Sequence, residues 1–312
     1  MKSVFPARYG LNNQGASMSL ALPSVALIGF GEVGGILAQE LRAQNIAVCA
    51  FDPQASLAMA QKAAACGAYF ASTLVQALEG ATLVFSAVTA ANTLAVAQQC
   101  APLLRPGQTF LDLNSAAPNT KRAAAEAISA SGAVYVEVAV MAPVPPKRLK
   151  TPLLLGGEGA VTIAAQLNAL GFNSQVYSPH IGEASAIKMC RSVMIKGLEA
   201  LTAECLLAAQ RYGVEQPVLD SLHASFPSLG WDQQLPHYLI SRIAEHGKRR
   251  AEEMREVVQT LRDVGIEPHQ SLATVASQQG LVDAMSAQRL AYSELTPFVW
   301  QTALSKIYPA GD

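Results

Sequence analysis

An apolar run, Val25-Ala26-Leu27-Ile28, passes directly into Gly29-Phe30-Gly31-Glu32-Val33-Gly34, and this transition constrains the chain more than any other feature. The spacing is G-x-G-x-x-G between a strand-like segment and a helix-like one. The first glycine permits a tight strand-to-helix turn, the second lets backbone approach a pyrophosphate, and the third lets helix and strand pack closely. The helix start presents free N–H groups and the positive end of a dipole to the phosphates. A second apolar segment, residues 46–51, ends in Asp52, 21 residues after Gly31. An acidic residue there would accept hydrogen bonds from an adenosine ribose. It would also repel a 2′-phosphate, and Pro53 stands where an NADP site often carries a basic residue. NAD is therefore the expected dinucleotide and NADP the alternative. The bland readings are an ordinary glycine turn and a polar strand end.

With 312 residues the chain is long enough for two domains with separate cores. From residue 23 to about 180, short β-rich runs alternate with alanine-rich helical segments. Strand candidates are 24–29, 46–51, 82–88, 109–113, 133–140, 152–156 and 174–177, and helix candidates are 36–44, 91–104, 118–131 and 159–170. Such alternation builds a mainly parallel sheet covered on both faces. After Gly182 almost every segment reads as helix. The expected architecture is α/β: a Rossmann, doubly wound sheet domain over 23–181 and an all-helical domain over 182–312. A long helix, about 183–211, joins them, and residues 1–22 read as a flexible extension.

The net charge of −1 gives no basic surface for nucleic acid or an anionic membrane. Although 51% of residues are apolar, no uncharged run of about 18 residues exists to span a bilayer. Residues 1–22 lack the apolar core of a secretory signal. Cys49, Cys66, Cys100, Cys190 and Cys205 stand singly, as expected of free thiols in the cytoplasm. The five histidines lack metal-ligand spacing, so no metal is expected.

On the joining helix, Lys188, Arg191 or Ser192, Ile195 and Glu199 recur at helical spacing and place ionisable groups on one stripe. Partial desolvation of Lys188 would disfavour its charged form, moving it toward proton exchange with a hydroxyl. A snorkelling surface lysine is the alternative. Lys196, eight residues on, has rotated by roughly 80°. Further along, Met254, Val257, Val258, Leu261 and Val264 form an apolar stripe. Arg250, one turn before Met254, lies near its inward face, where a guanidinium would grip a carboxylate or phosphate bidentately. The alternative is a solvated helix supported by pairs such as Arg249–Glu253.

Three motifs together resemble the β-hydroxyacid dehydrogenases, which include 6-phosphogluconate and 3-hydroxyisobutyrate dehydrogenases. Gly29, Gly31 and Gly34 match their phosphate loop. Asp112, Ser115 and Pro118 match their D-x-S-T-x-x-P segment, with Asn114 replacing serine. Lys188 falls on their catalytic lysine in G-x-G-x-x-x-K, with Ala184 in place of the second glycine. The segment from His246 to Val258 resembles the poorly characterised C-terminal domain of a divergent, 6-phosphogluconate-dehydrogenase-like branch.

The resemblance implies hydride transfer between a nicotinamide and the carbinol carbon of a small β-hydroxy acid, with Lys188 as general acid and base. It implies a cofactor site of Gly29, Phe30, Gly31, Glu32, Val33, Gly34, Asp52 and Val88. Ser115 and Met141 would border nicotinamide and substrate, while Arg191, Ser192 and Arg250 would orient an anionic end. A homodimer formed through the helical domain is expected. Two departures stand out: Glu137-Val138-Ala139-Val140-Met141-Ala142-Pro143 replaces D-A-P-V-S-G-G, and Arg191 and Ser192 follow the lysine where the family has asparagines or histidine. Both alter substrate anchoring, so the usual substrates are not assumed. An imine reductase, an oxidative decarboxylase and a non-catalytic dinucleotide-binding protein remain alternatives.

Overall fold

The computed structural model describes residues 23–309. The extension expected over 1–22 lies outside the described residues. The chain divides into two compact units between Lys188 and Met189, inside the long helix.

The first unit is an eight-stranded sheet. Its strands are β1 (Val25–Ile28), β2 (Val48–Phe51), β3 (Tyr69–Phe70), β4 (Leu83–Ser86), β5 (Thr109–Asp112), β6 (Val134–Val140), β7 (Pro152–Gly156) and β8 (Asn173–Ser178). Their order is β3-β2-β1-β4-β5-β6-β7-β8, and every neighbouring pair is parallel except β6 with β7. The connecting helices are α1 (Glu32–Ala43), α2 (Leu57–Ala65), α3 (Leu74–Leu78), α4 (Thr93–Cys100), α5 (Pro118–Ser129) and α6 (Ala160–Ala169).

Both faces of the sheet are buried, which explains its continuous apolar strands. From β1, Val25 and Leu27 join one core with Leu37 and Leu41 of α1, while Ala26 and Ile28 join the opposite core with Val96, Ala97 and Ile128. The strand order reverses between β1 and β4, so their C-terminal ends diverge into a crevice of the kind in which doubly wound sheets bind ligands. The loops at this edge are residues 29–31, 87–92 and 113–117.

The second unit contains the remainder of α7 (Glu183–Tyr212), then α8 (Glu215–Ser225), α9 (Leu235–Arg262), α10 (His269–Ala287) and α11 (Trp300–Ile307). Leu206, Leu219, Ile240, Ile243, Leu281, Trp300 and Leu304 form its core. Met254 and Val257 of α9 pack on Met189 of α7 in a smaller cluster, using the apolar stripe expected from the sequence. No helix among the described residues is long and apolar enough to cross a membrane.

An ion pair inside the first unit sets the exit of β5. Asp112 is fully buried and Lys121 of α5 is 1% exposed, yet both are ionisable. Lys121 Nζ lies 2.8 Å from Asp112 Oδ1 and also donates to the Asp112 carbonyl at 3.0 Å. The Tyr135 hydroxyl donates to Asp112 Oδ2 at 2.7 Å. Burial, then the charge of Asp112, pushes the Tyr135 phenol well above its ordinary pKa, so it remains a donor. Breaking a buried pair by removing one partner strands a desolvated charge. Lys121→Met is expected to cost about 3–5 kcal/mol in urea denaturation, with Asp112→Asn in the same chain restoring much of it. A loss below about 1 kcal/mol, the range of an exposed pair, would contradict this.

Candidate active site at the carboxyl edge of the sheet

The phosphate loop is built by contact, not by composition. Gly29 has φ +95°, and a Cβ on it would stand 2.5 Å from the Ala87 carbonyl oxygen. A Cβ on Gly34 would stand 2.2 Å from the Gly29 carbonyl oxygen, so α1 packs on the turn only without a side chain there. Gly31 is different: nothing lies within 4 Å of its Cβ position, and it precedes α1 with no side-chain cap. The approach to the start of α1 at Gly31 is therefore open, at the positive end of the helix. This is an environment suited to a diphosphate.

Asp52 follows β2, where the sequence pattern puts it. Its Oδ2 accepts from the Phe30 N–H at 2.8 Å and its Oδ1 from the Gln54 N–H at 2.9 Å. A carboxylate offers about four acceptor positions, so these bonds leave capacity for ribose hydroxyls. Lys62 of α2 carries no signal in the sequence that would link it to this loop. Its Nζ donates to the Gly31 carbonyl at 3.3 Å and sits 5.6 Å from the centre of the Phe30 ring.

Beyond β4 and β5, the Asn114 amide links two loops. Its Oδ1 accepts from the Val88 N–H at 2.8 Å, and its Nδ2 donates to Ser86 Oγ at 3.0 Å. The next residue, Ser115, is half-buried, and its Oγ accepts from Lys188 Nζ at 2.6 Å. Lys188 is itself half-buried near the start of α7. That start is held by Glu137, whose Oε1 accepts from the N–H groups of Gly182 and Ala184 at 2.8 and 3.1 Å. Met141 packs beside Ala139, Leu154, Ala184 and Ile187. Lys188, Ser115 and Met141 are thus drawn toward the same part of the first unit. Among the described residues no group of three or more His, Cys, Asp or Glu side chains is placed to hold a metal ion.

A family described as the NAD binding domain of 6-phosphogluconate dehydrogenase matches residues 24–167, and a domain of unknown function, DUF1932, matches residues 209–281. A conserved hypothetical protein of Sinorhizobium meliloti has a solved structure with 38% identity and TM-score 0.71, the match covering 92% of this chain and 97% of that one. The conserved protein MTH1747, described as structurally similar to 3-hydroxyacid dehydrogenases, is 31% identical, with TM-score 0.67 over 83% of this chain and 97% of its own. A 3-hydroxyisobutyrate dehydrogenase of Pseudomonas aeruginosa is 28% identical over 219 residues, 67% of this chain and 72% of that enzyme. The chain belongs to the β-hydroxyacid dehydrogenase superfamily. It is a hydroxyacid-dehydrogenase-like oxidoreductase with an NAD-binding domain, joined to a C-terminal domain of unknown function.

Against that family pattern, Glu137 stands where the substrate-holding segment usually opens, and here it caps α7. Its Oε2 is buried without a hydrogen-bond partner among the described residues. The second unit carries the other residues expected to orient an anionic substrate. Arg191 is exposed, whereas Ser192 is buried and accepts from Lys196 Nζ at 3.1 Å. Lys196 also pairs with Glu253 at 3.0 Å, and Glu253 pairs with Arg249 at 3.0 Å. Burial lowers the Lys196 pKa, with Glu253 opposing the shift.

Arg250 lies inward as its position before Met254 implies, and there it meets a carboxylate of the protein. Its Nε donates to Glu199 Oε2 at 2.8 Å, its Nη2 bonds the other oxygen, and Gln278 donates to the same carboxylate at 3.1 Å. The fork already holds a carboxylate, that of the protein. His246, near Arg250 on α9, is pushed down to about 4 by burial and by Arg242, Arg249 and Arg250. Its Nε2 is 3.2 Å from Glu245, and the charge of Glu253 opposes the shift.

The two later glycines separate folding from binding. Gly34→Ala is expected to destabilise the domain by about 1–3 kcal/mol, because backbone blocks the new methyl. Gly31→Ala, with open space around it, is expected to unfold at the native midpoint but to bind NADH at least about ten-fold more weakly. Calorimetric titration with thermal melts checks both, and a Gly31→Ala chain of native affinity would contradict the assignment.

Proposed function

We propose that this chain is an NAD-preferring dehydrogenase that oxidises the carbinol of a small β-hydroxy acid, with Lys188 as the proton acceptor. The observation that carries the reading is the 2.6 Å hydrogen bond between Lys188 Nζ and Ser115 Oγ beside the carboxyl edge of β5. With the adenosine end at Asp52 and the diphosphate at the start of α1, a dinucleotide extends past β4 and its nicotinamide reaches the loops that carry Val88 and Ser115. When bound, the nicotinamide supplies the hydride acceptor.

The chain's own residues then handle geometry and the proton. Ser115 fixes the direction of Nζ, so that a substrate hydroxyl approaching the same nitrogen meets it in line. In the oxidative direction the uncharged amine takes the hydroxyl proton as hydride leaves the carbinol carbon. In the reductive direction the ammonium returns a proton to the oxygen. Met141 walls this region with apolar surface and helps exclude water, which favours transfer between held atoms. Arg250 is left out because Glu199 holds it. Asp52, with Pro53 beside it, favours NAD over NADP.

The proposed assembly is a homodimer. Along α7, Met194, Leu198, Leu201, Cys205, Ala208 and Tyr212 recur at alternating spacings of four and three, and Met194, Leu201 and Tyr212 are 73%, 61% and 84% exposed. Such a stripe suits a self-complementary contact with a second copy. Sedimentation is expected to give twice the chain mass, and Leu201→Glu to shift the protein toward monomer; a monomeric native protein at tens of micromolar would overturn this. All five cysteines are free, in keeping with a cytoplasmic location.

Following NADH absorbance across a panel of β-hydroxy acids tests the reaction class. On any substrate found, Lys188→Ala is expected to slow turnover by about a hundred- to ten-thousand-fold with NADH affinity unchanged. Near-native turnover, or loss of NADH binding instead, would overturn the role given to Lys188.

A further inference from the structure

We propose that Asn114 is a positioning residue that ties the β4 loop to the β5 loop, so that the nicotinamide end of the cofactor site and Ser115 are set as one piece. The inference rests on the dinucleotide placement proposed above.

Asn114 is 4% exposed and bonded on three sides. Its backbone N–H donates to Asp112 Oδ1 at 3.0 Å, which anchors it to the buried carboxylate. From that anchor its amide crosses to the neighbouring strand, accepting from the Val88 N–H and donating to Ser86 Oγ at 2.8 and 3.0 Å. Ala87 and Val88 in turn abut the phosphate turn, because the Ala87 carbonyl oxygen and Val88 Cγ1 are among the atoms nearest the Cβ position of Gly29. The contacts run without a break from Gly29 through Val88 and Asn114 to Ser115 and Lys188.

Only an amide of this length performs the task. Carbonyl and NH2 groups on one planar carbon accept from one strand-end group while donating to another. A serine hydroxyl ends one carbon earlier and cannot span to both Val88 N–H and Ser86 Oγ. Loosening this tie leaves the diphosphate and Asp52 contacts in place and frees the Val88 loop. The cost is therefore expected only for ligands that reach that loop.

Calorimetric titrations of the full chain with NADH and with ADP-ribose, which lacks the nicotinamide, test this directly. For Asn114→Ser, NADH affinity is expected to fall about ten-fold while ADP-ribose affinity stays within about two-fold of native. Ser86→Ala, which removes only the far anchor, is expected to give the same pattern at smaller size, and it serves if Asn114→Ser does not fold. Equal weakening of both ligands, or no change in either, overturns the proposal while leaving the dinucleotide site intact. A native chain that binds neither ligand overturns the placement and the proposal together.

Discussion

The carboxylate of Asp112 sits at the end of β5 with no exposure to water, and the rest of the site depends on how that charge is met. Each oxygen has a donor: Lys121 and the Asn114 N–H on Oδ1, the Tyr135 hydroxyl on Oδ2. A charge so placed is tolerated only when paired and hydrogen-bonded, and those requirements make the surrounding geometry stiff. The loop that carries Asn114 and Ser115 therefore leaves the sheet in one direction. Ser115 and Lys188 inherit that direction, since the Ser115 hydroxyl accepts from Lys188.

A second constraint acts from the other side of the same edge. Glu137 of β6 receives the first N–H groups of α7, so the helix that carries Lys188 starts from the sheet itself. A negative charge at a helix start is favourable twice, through hydrogen bonds to unpaired donors and through the helix dipole. This role explains why an acidic residue remains in a segment that has otherwise lost the family's serine and glycines. The chain keeps an acidic residue that holds the start of the lysine's helix, while the residues after it depart from the family pattern.

Features set by local covalent geometry are legible in the amino-acid sequence. The first strand, the three glycines and Asp52 form such a group, because Gly29 and Gly34 answer steric demands of the turn itself. The all-helical second half is legible from its helical periodicity and punctuation. The segment between Asp52 and Thr82 does not read clearly as strands and helices: β3 has two residues, and α2, Leu-Ala-Met-Ala-Gln-Lys-Ala-Ala-Ala, carries no clear apolar stripe. Long-range pairing is the other gap. The inward position of Arg250 follows from helix spacing, but its partner Glu199 lies 51 residues earlier on another helix, and no local signal connects them. Lys121 gives no sign of burial in the sequence because lysines are seldom buried, and its partner Asp112 is met only when α5 folds back on β5.

A dinucleotide lying across the carboxyl edge of this sheet, with its nicotinamide beside Ser115 and Lys188, is what the proposed chemistry requires. A crystal structure of the chain soaked with NAD tests this most directly. The expected result is the diphosphate on the first N–H groups of α1, the adenosine ribose on Asp52 and the nicotinamide ring against Val88, Ser115 and Lys188. A dinucleotide bound in the reverse direction, or bound elsewhere with this edge bare, would contradict it.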